Sequence, residues 1–374
     1  MTVRVAPDAL HLLARGRRTV VVTGTNGKTT TTRMLVEALG GAPLVATNGE
    51  GANMPAGLVA ALARYPDSPA AALEVDELHV PGVLRQIDPA VLVLLNLSRD
   101  QLDRTNEVRR VADRLGAAAR DVPECTIIAN CDDVLVASAV VDAARVVWVA
   151  GGGTWTEDSA ACPRCGQPIS RVGTHWSCVC GLARPTPQWT IDGTELVDPR
   201  GERWRLRLGV PGAVNRANAA MAVAAAEALG IGPESSIDRL RQVRDVDGRY
   251  RTIRFGQHDV TLLLAKNPAG WAEALTMVEP EADHVVVAVN GQGPDGRDLS
   301  WLWDVGFEQL DAWPLTAAGE RCADLAVRLT YADLPHDVRR DPVRAVESAP
   351  PGRVTVLANY TAFTQLRDAL VDER

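Results

Sequence analysis

Residues 19–35 read TVVVTGTNGKTTTTRML, and the fold is decided in this stretch. The β-branched run from Thr19 to Val22 predicts a buried strand. Gly24-Thr25-Asn26-Gly27-Lys28-Thr29 breaks it, and a helix is predicted from Thr30 to Leu39. Glycines let backbone N–H groups turn toward anionic oxygens, and the positive end of the new helix points at the same place. Strand, loop and helix therefore form a phosphate cradle for a nucleotide. Lys28 is positioned to reach the β- and γ-phosphates and the Thr29 hydroxyl to ligate Mg²⁺. Gly24, Thr25, Asn26, Gly27, Lys28, Thr29 and Thr30 are the candidate nucleotide-binding residues. The general pattern G-x-x-x-x-G-K-[ST] asks for glycine at position 22, where this chain has Val22.

Working outward, 374 residues suggest two domains, possibly three. A hydrophobic content of 46 % supports ordinary cores. A formal charge of −8 argues against a nucleic-acid-coating role. The opening MTVRVAPDALHLLARGRR is charged and lacks a cleavage site, and no run approaches the ~20 apolar residues of a membrane span. A cytoplasmic protein is expected, without a transmembrane segment and with no nucleic acid as partner.

Three further strands are read downstream, each ending in polar residues. AAALEVDEL (70–78) ends in Glu74, Asp76 and Glu77. A carboxylate at the carboxyl end of a parallel strand faces the ligand crevice and can hold Mg²⁺. Asp76 and Glu77 are also suited to the first turn of a helix. The strand Val91 to Leu95 runs into Asn96-Leu97, followed by Arg99-Asp100-Gln101-Leu102-Asp103-Arg104. TIIANCDD (126–133) ends in Asn130-Cys131-Asp132-Asp133. Alternation with helices near 33–39, 54–64, 106–120 and 134–144 argues for a mostly parallel α/β sheet.

Residues 151–185 interrupt this rhythm. Cys162-Pro-Arg-Cys165-Gly is followed, after twelve residues, by Cys178-Val-Cys180-Gly. Paired cysteines on glycine-bearing knuckles present four thiolates to Zn²⁺. No ligand position stays open, so a structural zinc is expected, in a mini-domain too small to fold without it. Strand-like text follows at 186–208 and reads as an antiparallel hairpin. An alanine-rich helix after Gly212 carries Asn215 and Asn218 in its first turn, where either could serve as a cap. From residue 251 a second series of strand, polar loop and helix begins, with Lys266-Asn267-Pro268, Asn290, Asp295-Gly-Arg-Asp298 and Asn359-Tyr360-Thr361 at the strand ends.

GTNGKT after a strand resembles the ATP-binding loop of the Mur ligase family, which includes folylpolyglutamate synthases. GTNGKTT, NGEGANM, RDQLDR, NCDD, C-x-x-C…C-x-C, KNPAG, DGRDLSWLWD and NYTA occur in that order across nearly the whole chain. Together they resemble the MurT branch of the family. The wider family carries a histidine where this chain has Gln101, which separates it from the family's second metal site. The resemblance implies a Mur-ligase-type P-loop ATPase domain over residues 1–248, with a four-cysteine zinc-ribbon insertion at about 155–185. A second, Rossmann-like α/β domain follows over 249–374.

The resemblance further implies ATP-dependent amidation of the D-glutamate α-carboxylate of the lipid-linked peptidoglycan stem peptide (lipid II), through an acyl phosphate, at the inner face of the membrane. Ammonia would come from a GatD-type glutamine amidotransferase partner, since no convincing glutaminase is present around Cys322. By the same resemblance Glu74 is the Mg²⁺ carboxylate, Asn215 and Asn218 lie beside the adenine, and Arg249 reaches phosphate from the interdomain hinge, with a solvated linker arginine as its plainer role. Asp298 would orient the partner's histidine, with Asp295 and Asp304 as local competitors and a helix cap as its plainer role. Trp301 and Trp303, taken as exposed, would suit that interface. A stand-alone amino-acid ligase of the Mur or folylpolyglutamate type is the alternative enzyme reading, and a nucleotide-dependent regulator the alternative outside it.

Overall fold

The computed structural model describes residues 8–49, 52–99, 108–152, 155–243 and 250–372. Gln101 and Arg249, singled out above, lie outside these residues. The chain forms two compact units, Met1–Ser98 with Asn106–Arg244, and Arg99–Thr105 with Asp245–Arg374.

The first unit is built on six parallel strands: β1 (Arg18–Thr23), β2 (Val45–Thr47), β3 (Ala70–Glu74), β4 (Val91–Leu94), β5 (Thr126–Asn130) and β6 (Val146–Val149). Their order is β2-β3-β1-β4-β5-β6. β3 and β4 are buried at every position and β1 at all but its first, as parallel strands covered by helices on both faces must be. The three-residue β2 runs directly into the glycines and asparagines of NGEGANM. The helix after β1 begins at Lys28, two residues earlier than its apolar pattern suggests, and runs to Ala38. It packs on the helix Ala213–Ala228, whose alanines are buried along nearly their whole length and permit close approach.

No helix starts at Asp76 or Glu77. Asp76 instead accepts from the Leu78 N–H, and the helix begins at Val80. The segment 186–208 forms three antiparallel strands rather than a hairpin: β9 (Thr190–Asp192), β10 (Glu195–Val197) and β11 (Arg203–Arg205). The cysteine segment holds a short hairpin of β7 (Ser170–Val172) and β8 (His175–Ser177). It leans on the rest of the unit as well as on its thiolates, because Trp176, Cys162 and Leu182 are buried in the same core as Cys131, Val134 and Leu135.

The second unit has one six-stranded sheet of order β12-β13-β17-β14-β15-β16. The strands are β12 (Tyr250–Phe255), β13 (His258–Leu264), β14 (His284–Ala288), β15 (Leu315–Ala318), β16 (His336–Arg339) and β17 (Gly352–Ala358). Only the β12–β13 pair is antiparallel. Trp301 is not exposed, contrary to expectation. It lies in the core, stacked at 5.6 Å on Trp271, whereas Trp303 is 54 % exposed. The short 3₁₀ turn Ser300–Asp304 places these two side chains on opposite sides. Among the described residues no helix is long and apolar enough to cross a membrane.

Candidate functional site

In the first unit β1 and β4 are neighbours whose onward connections leave in opposite directions, which opens a crevice at their carboxyl ends. The loop after β1 sits in that crevice and is braced from the loop after β4. Asn96 Oδ1 accepts from Asn26 N at 2.8 Å, and Asn96 Nδ2 donates to Asn26 O at 3.0 Å. The Ser98 N–H donates to Thr25 Oγ1 at 2.9 Å, and that hydroxyl donates to Ser98 O at 3.1 Å.

Gly27 has a φ of +84°, in the region that favours glycine. A Cβ there would lie 2.7 Å from Asn218 Oδ1, so Asn218 is seated directly against the loop. Asn218 and Asn215 are both buried, and Asn215 Nδ2 reaches back to Pro211 O. Neither side chain caps its helix. Thr29 and Thr30 form the first turn of the helix that starts at Lys28.

Lys28 and Lys266 are the only lysines in the chain. The Lys28 ammonium, 7 % exposed as a residue, is held by Gly24 O at 2.5 Å, Thr25 O at 3.2 Å and Glu77 Oε2 at 3.1 Å. Glu77 is thus the carboxylate that meets the lysine, a pairing that 49 residues of separation conceal in the sequence. Glu74 ends β3 opposite Val22 of β1, and the residue is 2 % exposed. Its peptide is clasped by Asn48, whose Oδ1 accepts from Glu74 N at 2.8 Å and whose Nδ2 donates to Glu74 O at 2.7 Å. The NGEGANM segment therefore supports β3 through its first residue.

Asp133 has a structural part that its sequence position did not reveal. Its Oδ1 caps the helix Val134–Val140 by accepting from Leu135 N and Val136 N, and its Oδ2 accepts from Leu97 N at 2.8 Å. Enclosure pushes its acid up to about 6, against the pull of these three N–H groups. Asp132 Oδ2 accepts from Gly152 N at 2.7 Å, and Asn130 Nδ2 donates to Gly152 O at 3.2 Å.

The four cysteine sulfurs Cys162, Cys165, Cys178 and Cys180 all lie within 4.8 Å of one another. The closest pairs are Cys165–Cys178 at 3.4 Å and Cys162–Cys180 at 3.7 Å. A tetrahedral ion with bonds of about 2.3 Å separates its sulfurs by about 3.8 Å, so this donor set fits Zn²⁺. The Leu182 N–H draws the Cys180 thiol down to about 7, toward the thiolate that binds metal. Cys125 and Cys131 stand outside the cluster, and burial pushes both thiols up to about 12.

In the second unit the ends of β14 and β17 are tied together: Asn290 N donates to Asn359 Oδ1 at 3.0 Å, and Asn359 Nδ2 donates to Asn290 O at 2.7 Å. Asp295 is committed to Thr361, accepting from its N–H at 3.1 Å and from its hydroxyl, and its acid is raised by burial. Asp298 is exposed, and its Oδ1 accepts from Ser300 N at 2.8 Å, a bond that lowers its acid. It therefore closes a turn one residue ahead of the 3₁₀ turn Ser300–Asp304, whose N-cap is Leu299. Lys266 Nζ lies 4.9 Å from the centre of the Tyr360 ring.

Comparison with known proteins places both units. Residues 22–162 match the Mur ligase middle domain, and residues 264–363 match the MurT ligase C-terminal domain. The lipid II isoglutaminyl synthase (glutamine-hydrolyzing) subunit MurT of Streptococcus pneumoniae is 29 % identical over 98 % of this chain and 90 % of its own. The subunit of the same name from Staphylococcus aureus is 27 % identical over the same shares. Among solved structures, a pseudomurein peptide ligase type C from Methanothermus fervidus has a TM-score of 0.74 at 20 % identity, covering 96 % of this chain and 79 % of its own. A bifunctional folylpolyglutamate synthase/dihydrofolate synthase has a TM-score of 0.61 at 18 % identity, covering 98 % and 93 %. These structures share the fold. A phosphate loop on a sheet that matches the Mur ligase middle domain is thus followed in the chain by a domain that matches the MurT ligase C-terminal model, and the similarity to the MurT subunits runs over 98 % of the chain.

Proposed function

We propose that this protein is the ligase subunit of a lipid II isoglutaminyl synthase. It would convert the D-glutamate α-carboxylate of the peptidoglycan stem peptide to D-isoglutamine at the expense of ATP. The observation that carries this reading is the braced loop Gly24–Thr29 with Lys28 at its centre, in a chain whose full-length relatives bear that activity in their names. The carboxylate oxygen attacks the γ-phosphorus, the bond to the β-phosphate oxygen breaks, and ADP leaves an acyl phosphate. Ammonia then adds at the acyl carbon and phosphate departs with the former carboxylate oxygen.

Lys28 moves from Glu77 and its own loop carbonyls to the migrating phosphoryl group, spreading its charge. Gly24, Thr25, Asn26, Gly27 and Thr30 shape the cradle, while Asn215 and Asn218 border the nucleotide from the facing helix. Arg249 is retained as a phosphate contact from the hinge. Thr29 and Glu74 would hold Mg²⁺, which when bound offsets phosphate charge. The four thiolates would hold a structural Zn²⁺ and take no part in bond making.

Neutral ammonia is scarce at physiological pH, so a GatD-type glutaminase is the partner that supplies it. Asp298, exposed where Asp295 is committed internally, is the residue proposed to orient that partner's catalytic histidine. The domain boundary is taken at 248/249, and the enzyme would work in the cytoplasm at the membrane's inner face, where its lipid-linked substrate is presented.

The test is ATP turnover with a D-glutamate-containing muropeptide acceptor, comparing ammonium chloride with glutamine as nitrogen source and reading the product by mass spectrometry. Amidation with ammonium, and with glutamine only when the glutaminase is added, is expected. Addition of a whole amino acid would move the assignment to a stand-alone peptide ligase. Lys28→Ala is expected to abolish turnover.

A further inference from the structure

The thiolate knuckle carries two side chains that leave the metal site and reach the carboxyl end of β5. Trp176 is 1 % exposed, and its Nε1–H donates to Cys131 O at 3.0 Å. Arg184 Nε donates to Asp132 Oδ1 at 2.6 Å, with side-chain exposures of only 14 % and 18 %. The two residues face each other. Arg184 N donates to Trp176 O at 2.9 Å, just outside the Cys178 N to Leu182 O bond of 2.7 Å. One turn therefore carries Cys178 and Cys180 at its tip and both of these contacts at its base.

The segment they grip is the one that leads to the phosphate loop. Asp133 follows Cys131 and Asp132 directly and fixes Leu97 N. Leu97 lies between Asn96 and Ser98, which hold Asn26 and Thr25 of the loop. Another ion pair of the insertion, Arg164 with Asp142, is more exposed and ends just past the carboxyl end of the helix Val134–Val140. A largely enclosed charge pair is costly to leave with one partner, whereas exposed pairs contribute little.

We infer that Trp176 and Arg184 are positioning residues through which the metal-bound knuckle sets the phosphate loop. The inference deepens the proposed function and rests on its nucleotide reading. Folding the tip around the ion holds the base of the turn, the base holds Cys131 and Asp132, and Asp133 then presents its carboxylate to Leu97. Coupling of this kind needs a contiguous set of packed and bonded groups, which these residues supply.

The experiment uses the full chain. Wild type, Arg184→Ala, Arg184→Lys, Trp176→Phe and wild type stripped of metal by a chelator are compared in metal content, ADP affinity and amide exchange at Asn26 and Leu97. Arg184→Ala is expected to keep its metal, lose exchange protection at Leu97 and Asn26, and bind ADP about tenfold more weakly, a scale suited to a residue acting through others. Arg184→Lys should recover part of both, and stripped wild type should behave like Arg184→Ala. Unchanged ADP affinity and unchanged protection in metal-loaded Arg184→Ala would overturn the inference. If that variant folds poorly, the same pair of results in stripped wild type would do so. Failure of wild type to bind ADP would instead sink the nucleotide reading, and the exchange at Leu97 would still decide the wiring.

Discussion

Replacing Asp133 by Asn changes one oxygen into an NH₂ and removes one charge, and the structure lets the two effects be separated. Oδ1 can go on capping Leu135 N and Val136 N, but an amide nitrogen would then face the Leu97 N–H, donor against donor. Leaving that buried N–H unmet costs about 1–3 kcal/mol. Against this, the wild-type acid is pushed up to about 6 from 3.8. A folded-state value raised above the unfolded one stabilises fully below the unfolded pKa, and this contribution is lost as pH rises through about 6. At pH 7.5 the wild type has lost it; at pH 5 it has regained about 1 kcal/mol, allowing for the residue's partial contact with solvent. Asn does not titrate. The stability difference between wild type and Asp133→Asn should therefore shift in favour of wild type by about 1 kcal/mol between pH 7.5 and pH 5. Native-state amide exchange at β1 and β4 reports the first unit by itself and is the assay of choice. A difference that stays constant with pH, or moves the other way, would refute the reasoning.

Gly27→Ala places a Cβ 2.7 Å from Asn218 Oδ1 at a φ of +84°. The backbone alone costs about 1–2 kcal/mol, so calorimetry should record clearly weakened ADP binding, and unchanged affinity would count against Asn218 bordering the nucleotide. Asp298→Asn should spare amidation driven by free ammonium and lose the glutamine-driven reaction with the glutaminase present; equal loss of both would remove its proposed part. Cys162→Ser, at a fully buried ligand position, should lower both metal content and unfolding temperature, read by elemental analysis and a thermal scan. His284 is buried and held below its ordinary value by desolvation. A depressed folded-state pKa contributes stability above about 6.5 that fades as pH falls, so His284→Gln should flatten that acid-side loss in exchange at β14.

The parallel sheets and the phosphate loop were legible because local rules specify them: apolar runs of strand length, glycines where a backbone turns, polar residues where strands end. The cysteine cluster was legible for the same reason, since the two cysteines of each knuckle are neighbours in sequence. Long-range pairings were not. Nothing near Lys28 points to Glu77, and nothing in NCDD tells which of its acids caps a helix while holding Leu97. Trp301 read as exposed because a single 3₁₀ turn has no repeating apolar face, yet that turn sends Trp301 onto Trp271 and Trp303 outward. The docking of the insertion on the core of the first unit was not legible, because the packing of Trp176 and Leu182 leaves no periodic trace.

The grip of Gly24, Thr25 and Glu77 on Lys28 also bears on selectivity. An anion entering the loop does not meet an idle cation but has to displace an intramolecular rival. On the proposed nucleotide reading, small or singly charged anions would gain too little from the exchange, whereas a polyphosphate that engaged the loop amides at several points would outcompete the carboxylate. Glu77 in this sense acts as a threshold. Neutralising it would make the loop a better trap for inorganic phosphate and sulfate, and a worse judge of nucleotide.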